Sequence, residues 1–287
     1  MTSPHHVPVI ENLAAISDRY DVLFCDIWGV LHNGVRENAP AGAALEQFRK
    51  RGGRVVLVTN APVPDVQVAR ILDKKFVRRA SWDAIVSSGD VTRAQLIERG
   101  GEGAYHIGPD RDLSLFHDLP VDRAPIERAS VAVVTGLIHE EREQAEDYRA
   151  VLERLKARRL TLICANPDRV VHVGDHLVPC AGVVADLYEE MAGKVIWAGK
   201  PYAPIYEMAL NKACELSGAA DKSRILMIGD SVRTDLAGAN QFGVDALFVS
   251  RGVHRDHFGD EGDVSATTTA LLADAGARAI GAMPALR

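Results

Sequence analysis

Aromatic residues are scarce in this 287-residue chain, at 6%. Cysteine is scarcer: Cys25, Cys164, Cys180 and Cys214 stand far apart, with no CxxC pair. That spacing speaks against a disulfide framework or a zinc site and for reduced core thiols in a cytoplasmic protein. Positive charge is not in excess. The formal charge is -6 and the pI about 5.9, whereas a nucleic-acid binder usually carries a basic face. No run approaches the roughly 18 apolar residues of a membrane span. Residues 1–15 lack the basic-then-apolar order of a signal peptide. A cytoplasmic protein with no nucleic-acid and no membrane partner is therefore expected. The first apolar strand is not followed by GxGxxG, which speaks against a dinucleotide site. Internal repeats, low-complexity tracts and long Pro/Ser linkers are missing too.

What is present is the composition of a folded protein, 47% hydrophobic and 25% charged, at a length comfortable for two domains. Short apolar runs alternate with amphipathic helices, the pattern of a parallel sheet covered on both faces. The runs 21–26, 54–60 and 84–88 read as strands, and 41–51, 66–72 and 91–99 as helices. The middle of the chain has its own rhythm. Strands are expected at 104–107, 130–135 and 160–165, an acidic helix at 139–157 and a further helix at 181–191. The first pattern resumes at Trp197. A helix at 203–216, a strand at 223–228, a short helix at 236–240, a strand at 245–250 and a helical tail from Ala266 follow. The expected plan is one α/β core interrupted by an inserted domain at the strand-end loops, where a lid is useful.

Ligands of open α/β sheets bind beyond the carboxyl ends of the strands. Asp26, Thr59-Asn60, Lys200 and Asp230 all fall at such ends. Singly, each reads as well as a cap, a turn or a solvated side chain; together they describe a site. A carboxylate can attack a phosphoryl group, provided a cation offsets its repulsion from the phosphate. Mg²⁺ prefers few protein oxygens and retained waters. Asp26 and Asp230 offer two carboxylates and the Trp28 carbonyl a neutral oxygen. Asp235 is a further ligand or holds bound waters from behind. Thr59 can donate a hydrogen bond to a phosphoryl oxygen, and Lys200 adds positive charge.

Those residues carry a resemblance. Asp26-Ile-Trp-Gly-Val-Leu-His-Asn-Gly34, Val58-Thr59-Asn60, Gly199-Lys200-Pro201 and Gly229-Asp230-Ser231-Val-Arg-Thr234-Asp235 match, in order, the four motifs of the haloacid dehalogenase superfamily. Ala165-Asn166-Pro167-Asp168 resembles the cap signature of its class IIA branch, which includes the NagD-like and p-nitrophenyl-phosphatase-like phosphatases. The resemblance runs from about residue 20 to 255. It implies a Rossmann-like core with a C2-type α/β cap: core 1–90, cap 91–195, core 196–287. It implies Mg²⁺-dependent hydrolysis of a small phosphorylated metabolite through an aspartyl phosphate at Asp26. Thr59 and Lys200 are then catalytic, and Asn60, Asn166 and Asp168 contact substrate or position the cap. Relatives of this kind often pair through cap surfaces, which leaves a homodimer open.

Trp28 departs from the pattern. Most phosphatases of the superfamily have a second aspartate there, which protonates the leaving oxygen and then activates water. Indole titrates in neither sense. His32, in the same loop, is a candidate substitute, with a surface or capping role as the alternative. The departure also leaves open a weakly active or non-catalytic phospho-ligand binder, and cleavage of a C–P or C–halogen bond. His172, Asp175 and His176 show no firm zinc spacing and read as a polar loop. Cys180 has no partner that would make it a nucleophile. Arg251 to His254 reads as a cleft rim or as exposed loop, and Trp82 and Trp197 as packing residues.

Overall fold

The four residues Val22–Cys25 are all buried, yet they serve two cores. Val22 and Phe24 pack on one face of the sheet, Leu23 and Cys25 on the other. That alternation is the period of a strand buried on both sides. The structure is a computed structural model, described for residues 6–173, 176–258 and 263–287.

In chain order the strands are β1 (Val22–Cys25), β2 (Arg54–Thr59), β3 (Ala84–Ser87), β4 (Ala104–Ile107), β5 (Val131–Val134), β6 (Leu162–Cys164), β7 (Val170–Val173), β8 (His176–Pro179), β9 (Val195–Trp197), β10 (Ile225–Gly229), β11 (Asp245–Val249) and β12 (Gly281–Met283). The α-helices are α1 (Ala39–Lys50), α2 (Asp65–Lys74), α3 (Ser88–Arg99), α4 (Arg149–Ala157), α5 (Ala181–Glu190), α6 (Ala203–Ser217), α7 (Ala237–Phe242) and α8 (Val264–Ala275). The first sheet runs β12-β11-β10-β1-β2-β3, parallel throughout. Its chain order reverses at β1, which lies between β10 and β2. The crevice for a ligand in such a sheet opens at that reversal. The second sheet, β4-β5-β6-β9, is also parallel, and β7 and β8 form an antiparallel hairpin. This is the expected architecture: a Rossmann-like core with an inserted α/β cap.

Register aligns the strand ends. Cys25 pairs with Ile228 on one side and Leu57 on the other, and Asp26 N–H donates to the Ile228 carbonyl at 2.8 Å. Asp26, Asn60 and Asp230 therefore leave neighbouring strands at the same edge.

The structure corrects four elements. The acidic segment 139–157 is not one helix. Glu143 Oε2 accepts from His139 N–H and from the Tyr148 hydroxyl, and Gln144 and Asp147 cap a short 3₁₀ turn, Ala145–Tyr148. Side chains that bind nearby backbone compete with helix, so α4 starts only at Arg149. The segment read as a polar loop around His172 and His176 is the β7–β8 hairpin, with His172 buried; Asp175 lies outside the described residues. Trp197 does not resume the first pattern but ends β9 on the second sheet. The tail adds a sixth strand, β12, to the first sheet beyond its helix.

Candidate active site

Lys200 is the charge at the centre of the strand-end cluster, 1% exposed. Its Nζ lies 2.7 Å from Asp26 Oδ1 and 2.6 Å from Asp235 Oδ1, and donates to the Val58 carbonyl at 2.9 Å. Burial alone would lower this ammonium's pKa, but Asp235 and Asp26 outweigh it and raise it, so Lys200 stays charged.

Asp230 is held from a different element. Val253 N–H, in the loop after β11, donates to its Oδ2 at 2.6 Å. Gly29 passes so close that a Cβ there would fall 1.9 Å from the same oxygen, and its φ of +84° suits glycine. Asp235 is fully buried behind the other two. Its Oδ1 takes Lys200 and its Oδ2 accepts Ser231 N–H at 3.0 Å.

Asp26, Asp230 and Asp235 can each offer an oxygen such that all three lie within 4.8 Å of one another. Three carboxylates face one ammonium. Burial, then Asp235, pushes Asp26 up to about 7; burial, then Asp26 and Asp235, pushes Asp230 well up. A divalent cation is the group that relieves such a set, and the hard oxygens fit Mg²⁺.

Asp26, Trp28, Thr59, Asn60, Lys200 and Asp230 line a cavity of about 610 Å³. Asn166 and Asp168 reach it from the turn after β6. Thr59 Oγ1 accepts Ala61 N–H at 3.2 Å, which leaves its own hydrogen free to turn toward the cavity. Asn60 is committed at both ends of its amide. Its Oδ1 accepts Lys200 N–H at 2.7 Å, and its Nδ2 donates to the Lys200 carbonyl at 3.2 Å and to Asp168 Oδ1 at 3.0 Å. Asn166 Oδ1 accepts Asp168 N–H at 3.1 Å and so shapes that turn.

The Trp28 indole points at the hairpin. Nε1–H donates to the His172 carbonyl at 2.7 Å, and the ring meets His32 edge to face at 5.0 Å. Gly34, at φ +87°, makes room: a Cβ there would lie 2.6 Å from the indole. His32 is not a surface group, and it caps the loop rather than serving as a replacement acid. It is buried, its Nδ1 accepts Gly34 N–H at 3.0 Å, and burial, then Lys75, lowers its pKa to about 4. It does not line the cavity.

Sequence reasoning missed the far wall. Arg111, Asp112, Thr135 and Glu140 line the same cavity from the second sheet. Their signal is weak, since only the strand order of that sheet brings them together. Arg251, Gly252 and Val253 prove to be rim residues. Burial holds the Cys180 thiol well above its ordinary range, which suits an inert side chain. Trp197 packs, stacked on Tyr202 at 5.4 Å, and Trp82 is buried.

With this geometry, likeness to known proteins has a physical meaning. Residues 23–121 match the family model for haloacid dehalogenase-like hydrolases, and residues 197–275 a second, HAD-hydrolase-like model. Together they span Asp26, Trp28, Thr59, Asn60, Lys200, Asp230 and Asp235, but not Asn166 or Asp168. Ribonucleotide monophosphatase NagD of Escherichia coli (strain K12) is 29% identical over 238 residues, 80% of this chain and 88% of the relative. Glycerol-3-phosphate phosphatase of Gallus gallus is 27% identical over 270 residues, 85% and 83% of the two chains. A crystal structure of a haloacid dehalogenase-like hydrolase from Brucella suis 1330 superposes with a TM-score of 0.86 at 42% identity, covering 97% of this chain and all of that one. A chain so alike over its whole length, with the acids and lysine of the motifs gathered at one sheet edge, belongs to the haloacid dehalogenase-like hydrolases.

Proposed function

We propose that this hydrolase cleaves phosphate monoesters of a small metabolite, with Asp26 as the nucleophile. One observation carries the reading: Asp26 leaves β1 beside Asp230, is bound to Lys200 and opens into a cavity large enough for a metabolite. The names of the two relatives above, both phosphatases of small phosphate esters, support the same class.

Asp26, Asp230 and the Trp28 carbonyl hold Mg²⁺ in this proposal, with Asp235 behind them. When bound, the ion offsets the repulsion between carboxylate and phosphate. An Asp26 oxygen attacks phosphorus as the bond to the ester oxygen breaks, leaving an acyl phosphate. Lys200 steadies the charge at Asp26, and Thr59 donates to a phosphoryl oxygen. Water then attacks phosphorus, and the bond to Asp26 breaks. Asn60, Asn166 and Asp168 form the junction between the sheets on the substrate side.

We divide the chain into core 1–90, cap 91–195 and core 196–287, since these bounds separate most of the two sheets. The four free thiols support a cytoplasmic location. No helix among the described residues is long and apolar enough to cross a membrane. Pairing of two copies through cap surfaces belongs to the same proposal. A second reading, a phospho-ligand binder with little turnover, is favoured by Trp28 alone.

The test is a panel of sugar, nucleotide and alkyl phosphates with and without Mg²⁺. Phosphate release that needs Mg²⁺ and vanishes in Asp26→Asn is expected. Tight binding without release would favour the second reading instead.

A further inference from the structure

The leaving oxygen needs a proton and the incoming water needs a base, and the Trp28 indole supplies neither. We propose that Asp168, delivered by the second sheet, is the acid and then the base of this reaction. The inference rests on the phosphatase reading above.

Asp168 is placed for it. It lines the cavity shared with Asp26 and Asp230, and it is partly exposed there. Its backbone is fixed: Asp168 N–H is bound by Asn166 and its carbonyl accepts Gly182 N–H at 3.1 Å. A Cβ at Gly182 would fall 2.5 Å from that carbonyl, so the start of α5 presses directly on the turn. Asn60 pins one carboxylate oxygen, Oδ1. Among the described residues no hydrogen bond reaches the other, Oδ2, which remains available to a ligand. Asp168 belongs to the turn after β6 of the second sheet, and its bond to Asn60 brings it against the strand ends of the first, from which the nucleophile comes.

Its electrostatic setting agrees. Burial raises the Asp168 carboxyl, Lys200 and Arg169 oppose that, and Asp235 adds to it. Asp26 in turn feels Asp168, next after Asp235 and Lys200 among the charges that act on it. A carboxyl that keeps its proton longer than usual, near a nucleophile, suits a general acid.

The other candidates fail on position or chemistry. His32 does not line the cavity. Asp112 and Glu140 do, but the charged groups acting on Asp112 are Arg111 and Glu140, not those of the strand-end cluster. The His172 ring turns to Asp256, Nε2 to Oδ2 3.7 Å. The Cys180 thiol keeps its proton too firmly to shuttle it.

The steps balance. The Asp168 carboxyl gives its proton to the ester oxygen as the P–O bond breaks and the Asp26–P bond forms, so the alcohol leaves neutral. Asp168, now a carboxylate, takes a proton from water as the water oxygen bonds to phosphorus and the Asp26–P bond breaks. Phosphate departs and the carboxylic acid is restored.

The test compares wild type, Asp168→Asn and Asp168→Glu on glycerol phosphate and on p-nitrophenyl phosphate, with Mg²⁺. Asparagine can keep the hydrogen bond from Asn60 but cannot give up a proton. For Asp168→Asn, kcat/KM on the alkyl ester should fall about 100-fold or more. On the aryl ester, whose leaving group needs no proton, it should change by less than about fivefold. Rapid mixing should show a burst of nitrophenolate, followed by slow turnover, because water activation is lost. The burst also proves that the variant is folded. Asp168→Glu should regain part of the alkyl activity. An equal loss on both esters would make Asp168 a positioning residue and overturn the inference, as would no loss on either. Failure of wild type on both esters and on the wider panel would instead overturn the phosphatase reading, and the inference with it.

Discussion

At the scale of single residues, the centre of the site is an imbalance: one buried ammonium, Lys200, against Asp26, Asp230 and Asp235. Without a cation, the ionised form of Asp26 is a burden on the fold. A free aspartate titrates near 3.8, and Asp26 here is pushed up to about 7, by burial first and Asp235 next. Between those values the folded chain binds more protons than the unfolded one at this position, so its contribution falls as pH rises. Three histidines, one buried and two half-buried, act the other way. His32, His106 and His254 are lowered to about 4, chiefly by burial, so their contribution grows as pH rises to about 6.5. A difference between two variants cancels them. In EDTA, Asp26→Asn should be more thermally stable than wild type. The gap should widen from about pH 4 to pH 7 and then level off. Mg²⁺ should narrow or reverse it, because the ion stabilises only the folded state that binds it. A gap that is flat with pH would contradict the electrostatic reading of Asp26.

At the scale of elements, the hairpin β7–β8 is what joins the loop after β1 to the second sheet's side of the cavity. Its tie is the Trp28 indole N–H on the His172 carbonyl. Trp28→Phe keeps a ring against His32 but removes the donor. A net hydrogen bond of about 1 kcal/mol corresponds to roughly fivefold in local opening. Hydrogen exchange of amides in 170–173 and 176–178 should therefore quicken by about that factor, while β1 and β2 stay unchanged. Unaltered exchange in the hairpin would show that the tie does not hold it. This hairpin was not legible in the sequence, because His172 and His176 break its apolar alternation and mimic a loop. The stretch 139–157 misled for the opposite reason: its helical spacing gave no sign that Glu143, Gln144 and Asp147 would bind backbone. By contrast, β1, β2 and β10 were legible as short, wholly apolar runs ending on polar residues. So, through the ordered motifs, were Asp26, Lys200, Asp230 and Asp235.

At the scale of the molecule, the two sheets share an apolar cluster. Val56 and Val58 of β2 lie in the same core as Val131, Val133 and Ile163 of the second sheet. Asp26 from the first sheet's strand ends and Asp112 and Asp168 from loops of the second sheet line the same cavity. No local pattern announces that meeting: Asn60 and Asp168, bonded at 3.0 Å, are 108 residues apart. The motifs singled out the candidate residues, but only the packing of one sheet on the other shows which of them touch. The central claim is that Asp26 carries the phosphoryl group between ester and water, and it can be measured directly. Wild type and Asp26→Asn would be mixed with a ³²P-labelled phosphomonoester and Mg²⁺, quenched in acid within milliseconds, digested and mapped. About one label per chain, on the peptide containing Asp26, released by hydroxylamine and absent from Asp26→Asn, is the expected result. Turnover that leaves no such label, or that survives in Asp26→Asn, would contradict the account.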